Sequence, residues 1–189
     1  MLADLTKAIE SRDPYMLGHS ARVADLAATL GRSLGWTSDR VDVLRLGGLL
    51  HDVGKLAVSE RVLAKAGPLD PDELASIRAH PVTGARLLEP IAEARPALSC
   101  VLFHHERWDG GGYPTGRAGD AIPLEARVLS VADAYDAMTT SRPYRRALST
   151  DEALSEIANG AGTQFDPVLA TLFVAMWAEA APAAAAFAS

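Results

Sequence analysis

The chain has 189 residues, of which 49% are hydrophobic and 22% are charged, values typical of one folded globular domain. Its net charge is -6, so it lacks the basic excess with which proteins usually bind polymeric nucleic acid. Cys100 is the only cysteine, which excludes an intrachain disulfide and favours a reducing compartment. Because no apolar run could span a membrane and the N-terminus lacks a signal-peptide core, we expect a cytoplasmic protein.

Helical periodicity dominates the sequence and no alternating strand pattern of useful length is present, so the predicted fold class is all-α, a helical bundle. Predicted helices cover residues 23–30, 38–51 with Ser38 as N-cap, a stretch that begins at Asp70, a stretch after Pro81, 96–105, 123–140, and two short stretches after Ser149 and Pro167. Residues 56–69 are expected to be irregular, and residues 108–114 a glycine-rich loop. We expect one domain over 1–177 and a fraying alanine-rich tail over 178–189.

The five histidines each lie beside a predicted helix end or a loop: His19, His51, His80, His104 and His105. A single histidine is usually an ordinary surface or core residue. Here, however, Asp52 follows a histidine directly, and Asp133 is an acid within an otherwise apolar helix, where burial would need a partner. Imidazoles and carboxylates together suit zinc, iron, manganese or nickel. The combination therefore predicts a metal site.

Seven short motifs, in order, resemble those of the HD-GYP domain family. They are Gly18-His19-Ser20, Leu50-His51-Asp52-Val53-Gly54-Lys55, His80-Pro81, His104-His105-Glu106-Arg107-Trp108-Asp109-Gly110-Gly111-Gly112-Tyr113-Pro114, Val131-Ala132-Asp133-Ala134-Tyr135-Asp136-Ala137, Ser141-Arg142-Pro143-Tyr144-Arg145 and Phe165-Asp166-Pro167. One such block is weak evidence, whereas seven in the right order over residues 13–172 are specific. Ser59 and Ala66 stand where the family usually has proline, a departure that concerns loop rigidity.

The resemblance implies a helical HD domain that hydrolyses the bacterial second messenger cyclic di-GMP to linear pGpG, and in some members further to GMP. A hydroxide bridging two cations would attack phosphorus. Carried over by motif, the ligands of one metal are His19, His51, Asp52 and Asp133, and those of the other are Asp52, His80, His104 and His105. The implied cofactors are two divalent ions, iron or manganese ahead of zinc, nickel or cobalt. Tyr15 replaces the ligand glutamate of trinuclear members, so we expect two metals.

The same motifs imply roles in catalysis and substrate binding. Lys55 would face the scissile phosphate and act with Asp52 in catalysis; the alternative is a solvated lysine at a helix end. Tyr113 would stack on or hydrogen-bond the substrate, unless it packs into the core or forms a docking surface for a diguanylate cyclase (GGDEF) domain. Arg142 and Arg145 would bind guanine or phosphate through their planar guanidinium groups, or else be ordinary surface residues.

Two further acids, Glu106 and Asp136, are expected to orient metal-bound imidazoles, although solvated helix positions explain them nearly as well. Two other functions also remain open. A general HD-type nucleotide phosphohydrolase would share the His-Asp pair but not the glycine loop, and a non-catalytic domain would bind cyclic di-GMP or a partner without turnover. Regulation would come from a response regulator or another partner.

Overall fold

The computed structural model describes residues 8, 11, 17–65, 67–141 and 146–186. Within these ranges the chain is helical, which confirms the predicted all-α class, and the isolated bridge between Ala161 and Phe165 is the sole β-type pairing there. The α-helices are α1 (His19–Ser33), α2 (Ser38–Leu50), α3 (Glu60–Leu63), α4 (Pro71–Arg78), α5 (His80–Leu88), α6 (Leu98–Phe103), α7 (Leu124–Thr139), α8 (Thr150–Asn159) and α9 (Pro167–Ala186). Short 3-10 helices cover Val53–Ala57, Ala92–Ala97 and Gly119–Ala121. No described helix is both long and apolar enough to cross a lipid bilayer.

Several element boundaries differ from the prediction. Thr37 is the N-cap of α2, so the assignment of that role to Ser38 is wrong by one residue. The segment predicted as irregular, 56–69, contains α3 and the last two residues of a 3-10 helix, both too short to leave a helical period in the sequence. The last helix, α9, is not short but has 20 residues. It continues into the alanine-rich segment because alanine has the highest helix propensity.

The start of α4 confirms the predicted capping signal. Asp70 accepts a hydrogen bond from the Glu73 backbone N–H, and the Glu73 carboxylate accepts one from the Asp70 N–H. This reciprocal capping box and the proline at the first helical position fix where α4 begins. The helix ends at Arg78, two residues before His80.

The larger apolar core joins α1, α2 and α7. Its fully buried members include Val23, Ala27, Leu30, Leu44, Val128, Leu129, Val131 and Ala132. Each large aliphatic side chain buried here contributes about 1.5–3 kcal/mol to folding. The backbones of α1 and α2 approach so closely that a Cβ added at Gly48 would lie 2.7 Å from the Ala24 nitrogen. This packing holds the start of α1, the end of α2 and the middle of α7 at one place.

A second apolar cluster attaches the 3-10 helix Val53–Ala57 to α5 and α6. Its buried members are Leu50, Val53, Leu88, Ala94 and Val101. Gly54 permits the attachment, because a Cβ there would overlap the His80 carbonyl group and lie 2.6 Å from the Gly84 nitrogen. The close approach brings the residues after α2 next to the start of α5.

Replacing Gly54 by alanine should therefore separate these two elements. We expect the Gly54→Ala variant to lose about 3 kcal/mol of unfolding free energy, measured by urea denaturation followed by circular dichroism. Gly67→Ala is the matched control, since a Cβ at Gly67 would meet no atom within 4 Å. Its stability should stay within about 0.5 kcal/mol of wild type. Equal stability of the two variants would contradict this account of the packing.

Candidate metal centre

Seven side chains predicted as metal ligands converge on one place from different parts of the chain. Helix starts, helix ends and one helix interior supply them: His19 begins α1, His51 and Asp52 follow α2, His80 begins α5, His104 and His105 follow α6, and Asp133 lies within α7. Groups of these side chains have donor atoms within 4.8 Å of one another. The described residues thus contain His and carboxylate clusters able to hold a metal.

One group consists of His19, His51 and Asp133. The Nε2 atoms of His19 and His51 lie 3.3 Å apart. The Asp133 carboxylate oxygen is 3.3 Å from the His19 Nε2 and 3.8 Å from the His51 Nε2. All three donor atoms therefore point at a common centre.

The other group consists of three imidazoles, those of His80, His104 and His105. The Nε2 atoms of His80 and His104 lie 3.2 Å apart. The His105 ring centroid is 4.1 Å from that of His104 and 5.0 Å from that of His80. This group supplies nitrogen donors alone.

The Asp52 carboxylate lies between the two groups. Its Oδ1 atom is 3.2 Å from the His80 Nε2, whereas its Oδ2 atom is 3.3 Å from the His51 Nε2. The residue is only 2% exposed. One oxygen thus faces each imidazole group, which is the geometry of a carboxylate that bridges two cations.

Backbone hydrogen bonds orient three of the imidazoles. The Nδ1 atoms of His51, His80 and His104 lie 2.8, 2.7 and 2.9 Å from the carbonyl oxygens of Gly48, Ile77 and Val101. Those carbonyls belong to the last turns of α2, α4 and α6, where helix carbonyls lack the usual N–H partner. Because a carbonyl only accepts, each Nδ1 carries the proton, and each Nε2 presents a lone pair to the centre.

This arrangement fits a cation. Two lone pairs face each other across the 3.2 Å between His80 and His104, which is repulsive unless a positive ion lies beside them. The buried Oδ1 atom of Asp52 has no hydrogen-bond donor among the described residues, and such an orphaned oxygen is costly. Imidazole nitrogens with carboxylate oxygens are ligands of borderline divalent metals. The residues present therefore fit the metal ions that the motifs imply.

The protonation equilibria differ among the proposed ligands. Burial lowers the pKa of His105 to about 4 and that of His104 well below its usual range, so both are neutral near pH 7. Burial opposes ionisation of Asp52, but Lys55 and His51 hold the pKa of its carboxyl well below its ordinary value. Burial likewise disfavours charge on His19, yet hydrogen bonds with Asp133 and Asp136 raise its pKa to about 9. His19 is therefore protonated near pH 7 without a metal, and a cation that binds it must displace that proton.

The family follows from comparison with known proteins. The protein-family model described as HD domain matches residues 5–169 of the chain. The chain belongs to the HD domain family. The dipeptide His51-Asp52, which the sequence motifs indicated as the HD pair, lies within the matched range and beside both groups of donors.

Curated relatives agree with this family. The HD domain is 39% identical over 168 residues to the cyclic di-GMP phosphodiesterase response regulator RpfG of Xanthomonas campestris, a match that covers 88% of this chain and 44% of the relative. It is 40% identical over 167 residues to a cyclic di-GMP phosphodiesterase of Pseudomonas aeruginosa, covering 88% of this chain and 40% of the relative. The chain therefore spans less than half the length of these relatives. The matches confirm the resemblance that the motifs carried.

A solved structure shares the fold. A cyclic GMP-AMP-specific phosphodiesterase of Vibrio cholerae aligns with a TM-score of 0.70 and 21% identity, over 94% of this chain and 48% of that one. At this identity the likeness concerns the arrangement of helices. It supports the bundle described above for the HD domain.

Asp136, expected to orient an imidazole, does contact one. Its Oδ2 atom lies 2.7 Å from the His19 Nδ1, on the side of the ring away from the centre. The Arg22 guanidinium donates to both carboxylate oxygens of Asp136. Burial opposes the charge on Asp136, but His19 and Arg22 lower the pKa of its carboxyl. The carboxylate therefore fixes the direction in which the other nitrogen of His19 points.

Replacing Asp136 by asparagine should weaken metal binding without removing a ligand. We expect the metal dissociation constant of Asp136→Asn to rise about 10–100-fold, the usual effect of losing a carboxylate behind a ligand histidine. Asp25→Asn is the control. Asp25 is a carboxylate of α1, the helix that begins at His19, but it pairs at the surface with Arg45. Competition with a chelator indicator measures both constants. Equal affinities in the two variants would contradict the orienting role of Asp136.

Lys55 lies at the centre but contacts a carboxylate. Its Nζ atom donates to the Asp52 Oδ2 atom at 2.7 Å, and the side chain is 20% exposed. The ammonium group is thus held beside a proposed metal ligand and is mostly shielded from solvent. From this position it adds positive charge at the edge of the centre.

The glycine-rich loop places Tyr113 against a proposed metal ligand. The Tyr113 ring stacks on the His105 ring at 4.8 Å between centroids. The Tyr113 N–H donates to the His105 carbonyl, and a Cβ at Gly112 would lie 2.6 Å from that same oxygen. Gly112 is thus required for the loop to fold back this closely. Burial raises the pKa of Tyr113, so its phenol stays neutral.

Glu106 was expected to orient an imidazole, but its carboxylate holds the loop instead. The carboxylate is 3% exposed. It accepts hydrogen bonds from the Thr115 backbone N–H, the Thr115 hydroxyl and the Arg117 backbone N–H, at 2.7, 2.6 and 3.1 Å. A buried carboxylate with three donors fixes the far end of the loop that carries Tyr113.

Three predictions fall outside the described residues. Arg142 and Arg145, predicted to bind substrate, lie in the segment 142–145, and Tyr15, on which the count of two metals rests, lies in 12–16. The loop departure at Ala66 lies outside as well. These predictions stay predictions.

A cavity of about 270 Å³ opens beside the centre, lined on one side by His104, His105 and Asp133. Arg78 and Gln164 line it too, and neither was singled out from the sequence. Arg78 is a basic residue in the last turn of α4, a position where basic residues are common because they interact favourably with the helix dipole. Its closeness in sequence to His80 is the one signal that could have drawn attention to it.

Proposed function

We propose that this HD domain is a metal-dependent phosphodiesterase that hydrolyses cyclic di-GMP to linear pGpG. The observation that carries the proposal is the Asp52 carboxylate, buried between two groups of imidazoles with one oxygen facing each. Relatives named cyclic di-GMP phosphodiesterases match 88% of the chain, which supports this substrate. Whether pGpG is hydrolysed further to GMP is tested by analysing the reaction products.

The donors divide between two divalent cations. His19, His51 and Asp133 would hold one, His80, His104 and His105 the other, and Asp52 would bridge them. This mixture of nitrogen and oxygen ligands suits iron, manganese, zinc, nickel or cobalt, and the resemblance to HD-GYP domains places iron or manganese first. When bound, the pair of cations supplies Lewis-acid polarisation of the phosphate and a hydroxide nucleophile at neutral pH.

The remaining residues position the substrate and manage charge. Hydrolysis breaks one bond between phosphorus and a ribose 3′ oxygen, leaving a 5′-phosphate and a 3′-hydroxyl. The Lys55 ammonium, held 2.7 Å from Asp52, would stabilise charge on the phosphate and supply the proton that the leaving oxygen needs. Tyr113 stands against His105 at the cavity, where its ring would contact the nucleotide. Arg142 and Arg145 would add cations for guanine or phosphate.

The test is turnover by purified protein loaded with manganese or reduced iron. Cyclic di-GMP, cyclic GMP-AMP and a panel of linear nucleotides are incubated separately, and products are resolved by chromatography. Cyclic GMP-AMP is included because the Vibrio cholerae neighbour is named for it. We expect pGpG from cyclic di-GMP. Turnover of linear nucleotides alone would favour a general phosphohydrolase, and binding without turnover would favour a signalling domain; either result would overturn the proposal.

The relatives' names and lengths bear on the partners of the whole protein. One relative is named a response regulator, and the relatives are more than twice as long as the match. We propose that a response regulator or a diguanylate cyclase (GGDEF) domain controls this HD domain. Co-purification with each such partner, followed by a turnover assay, tests the proposal.

A further inference from the structure

The cavity beside the metal centre must receive an anionic substrate in an acidic protein. The chain has a net charge of -6, so attraction for a doubly charged cyclic dinucleotide has to come from local cations. Of the two phosphodiesters in such a molecule, only the one being cleaved would be held at the proposed metal ligands. The second needs a cation of its own.

Two of the cations near the cavity are already paired. The Arg107 guanidinium, on the cavity wall, donates to both carboxylate oxygens of Asp109, at 3.0 and 2.6 Å. The Lys55 ammonium donates to Asp52. Phosphate binding by Arg107 would compete with Asp109, and Lys55 is already assigned to the phosphodiester being cleaved.

Arg78 differs from both. It lines the cavity, its side chain is exposed, and no carboxylate within the described ranges lies within 4.0 Å of its guanidinium. Its Cζ atom lies 5.4 Å from the centroid of the Tyr113 ring, which in turn stacks on His105. The guanidinium therefore stands one aromatic ring away from a proposed metal ligand.

The backbone fixes this position. Arg78 is the last residue of α4, whose start is set by the capping box at Asp70. Two residues later, His80 donates its Nδ1–H to the Ile77 carbonyl. The same turn of chain thus positions a metal ligand and directs Arg78 to the cavity.

We infer that Arg78 binds the phosphodiester of the cyclic dinucleotide that is not being cleaved. The inference rests on the proposed function. The planar guanidinium offers two parallel N–H donors to two phosphate oxygens, which an ammonium does not. Contact with Tyr113 would hold the guanidinium in place as the phosphate enters.

The experiment compares steady-state kinetics of wild type, Arg78→Gln, Arg78→Lys and Arg86→Gln with cyclic di-GMP. Arg86→Gln is the matched control, an exposed arginine on α5 that does not line the cavity. We expect Arg78→Gln to raise KM about tenfold with a much smaller change in kcat, because the contact holds substrate and transition state alike. Arg78→Lys should fall between. Thermal melting of each variant checks folding.

Bis(p-nitrophenyl) phosphate separates this inference from the proposed function. It has a single phosphodiester, so its hydrolysis by wild type reports on the metal centre alone. If wild type hydrolyses it and Arg78→Gln matches Arg86→Gln in KM for cyclic di-GMP, the inference is overturned and the phosphodiesterase stands. If wild type hydrolyses neither substrate, the proposed function fails and the inference falls with it.

Discussion

Asp52→Asn should abolish turnover while leaving the fold intact. Asparagine keeps the shape of the side chain but lacks the negative charge and the second anionic oxygen with which Asp52 faces both imidazole groups. We expect cyclic di-GMP hydrolysis to fall by about a thousandfold or more, because the metals lose their common ligand. Bound metal, measured by plasma mass spectrometry, should fall from two ions per chain to less than one.

Asp42→Asn is the matched control for this prediction. Asp42 is an exposed carboxylate on α2, the helix that leads into His51 and Asp52. Its variant should keep both metals and full turnover. Near-wild-type activity and metal content in Asp52→Asn would refute the bridging role and with it the mechanism.

Metal loading should stabilise the fold strongly. Cations bind the folded centre and not the dispersed ligands of the unfolded chain, so binding stabilises by linkage. At a free metal concentration of 100 times the dissociation constant, each site contributes about 2.7 kcal/mol. For a chain of this length that corresponds to a rise in Tm of about 5–10 °C per site. Chelation should reverse the rise and abolish turnover together.

The melting experiment has a chemical control. Calcium prefers oxygen ligands and fits a centre of five imidazoles and two carboxylates poorly, so it should shift Tm far less than manganese or reduced iron. The Asp52→Asn variant should show a reduced shift with every metal. An unchanged Tm on addition of manganese, iron and zinc to wild type would contradict a metal centre at this place.

The residues that converge at the proposed centre could be identified from the sequence because histidine is rare in this chain and the motifs follow in order. Five histidines and an acid in an apolar helix, Asp133, leave few alternatives once Asp52 follows His51 directly. The helices could be predicted from apolar spacing, and the start of α4 from Asp70 and its acids. Residue types and the spacing of apolar residues within one segment were therefore enough to predict these features.

Contacts between residues far apart in the chain could not be predicted from residue type or apolar spacing. Glu106 holds Thr115 and not an imidazole, because the loop folds back onto it. The position of Arg78 beside Tyr113 depends on how α4 packs near the glycine loop, 35 residues further along. Both facts arise from tertiary packing, which no periodicity within one segment encodes. The short 3-10 helices were not predicted for a related reason, since they have too few residues to show a helical period.

The backbone bonds of three histidines have a consequence for how a cation is taken up. His51, His80 and His104 are each tethered to a carbonyl of the helix that ends just before them. Their rings are therefore immobilised before any ion arrives, which avoids the roughly 0.5–1.5 kcal/mol of ordering entropy that each free side chain would add to binding. Since the tethering oxygens belong to peptide groups, no side-chain substitution deletes them, and this preorganisation is a property of the helix ends themselves.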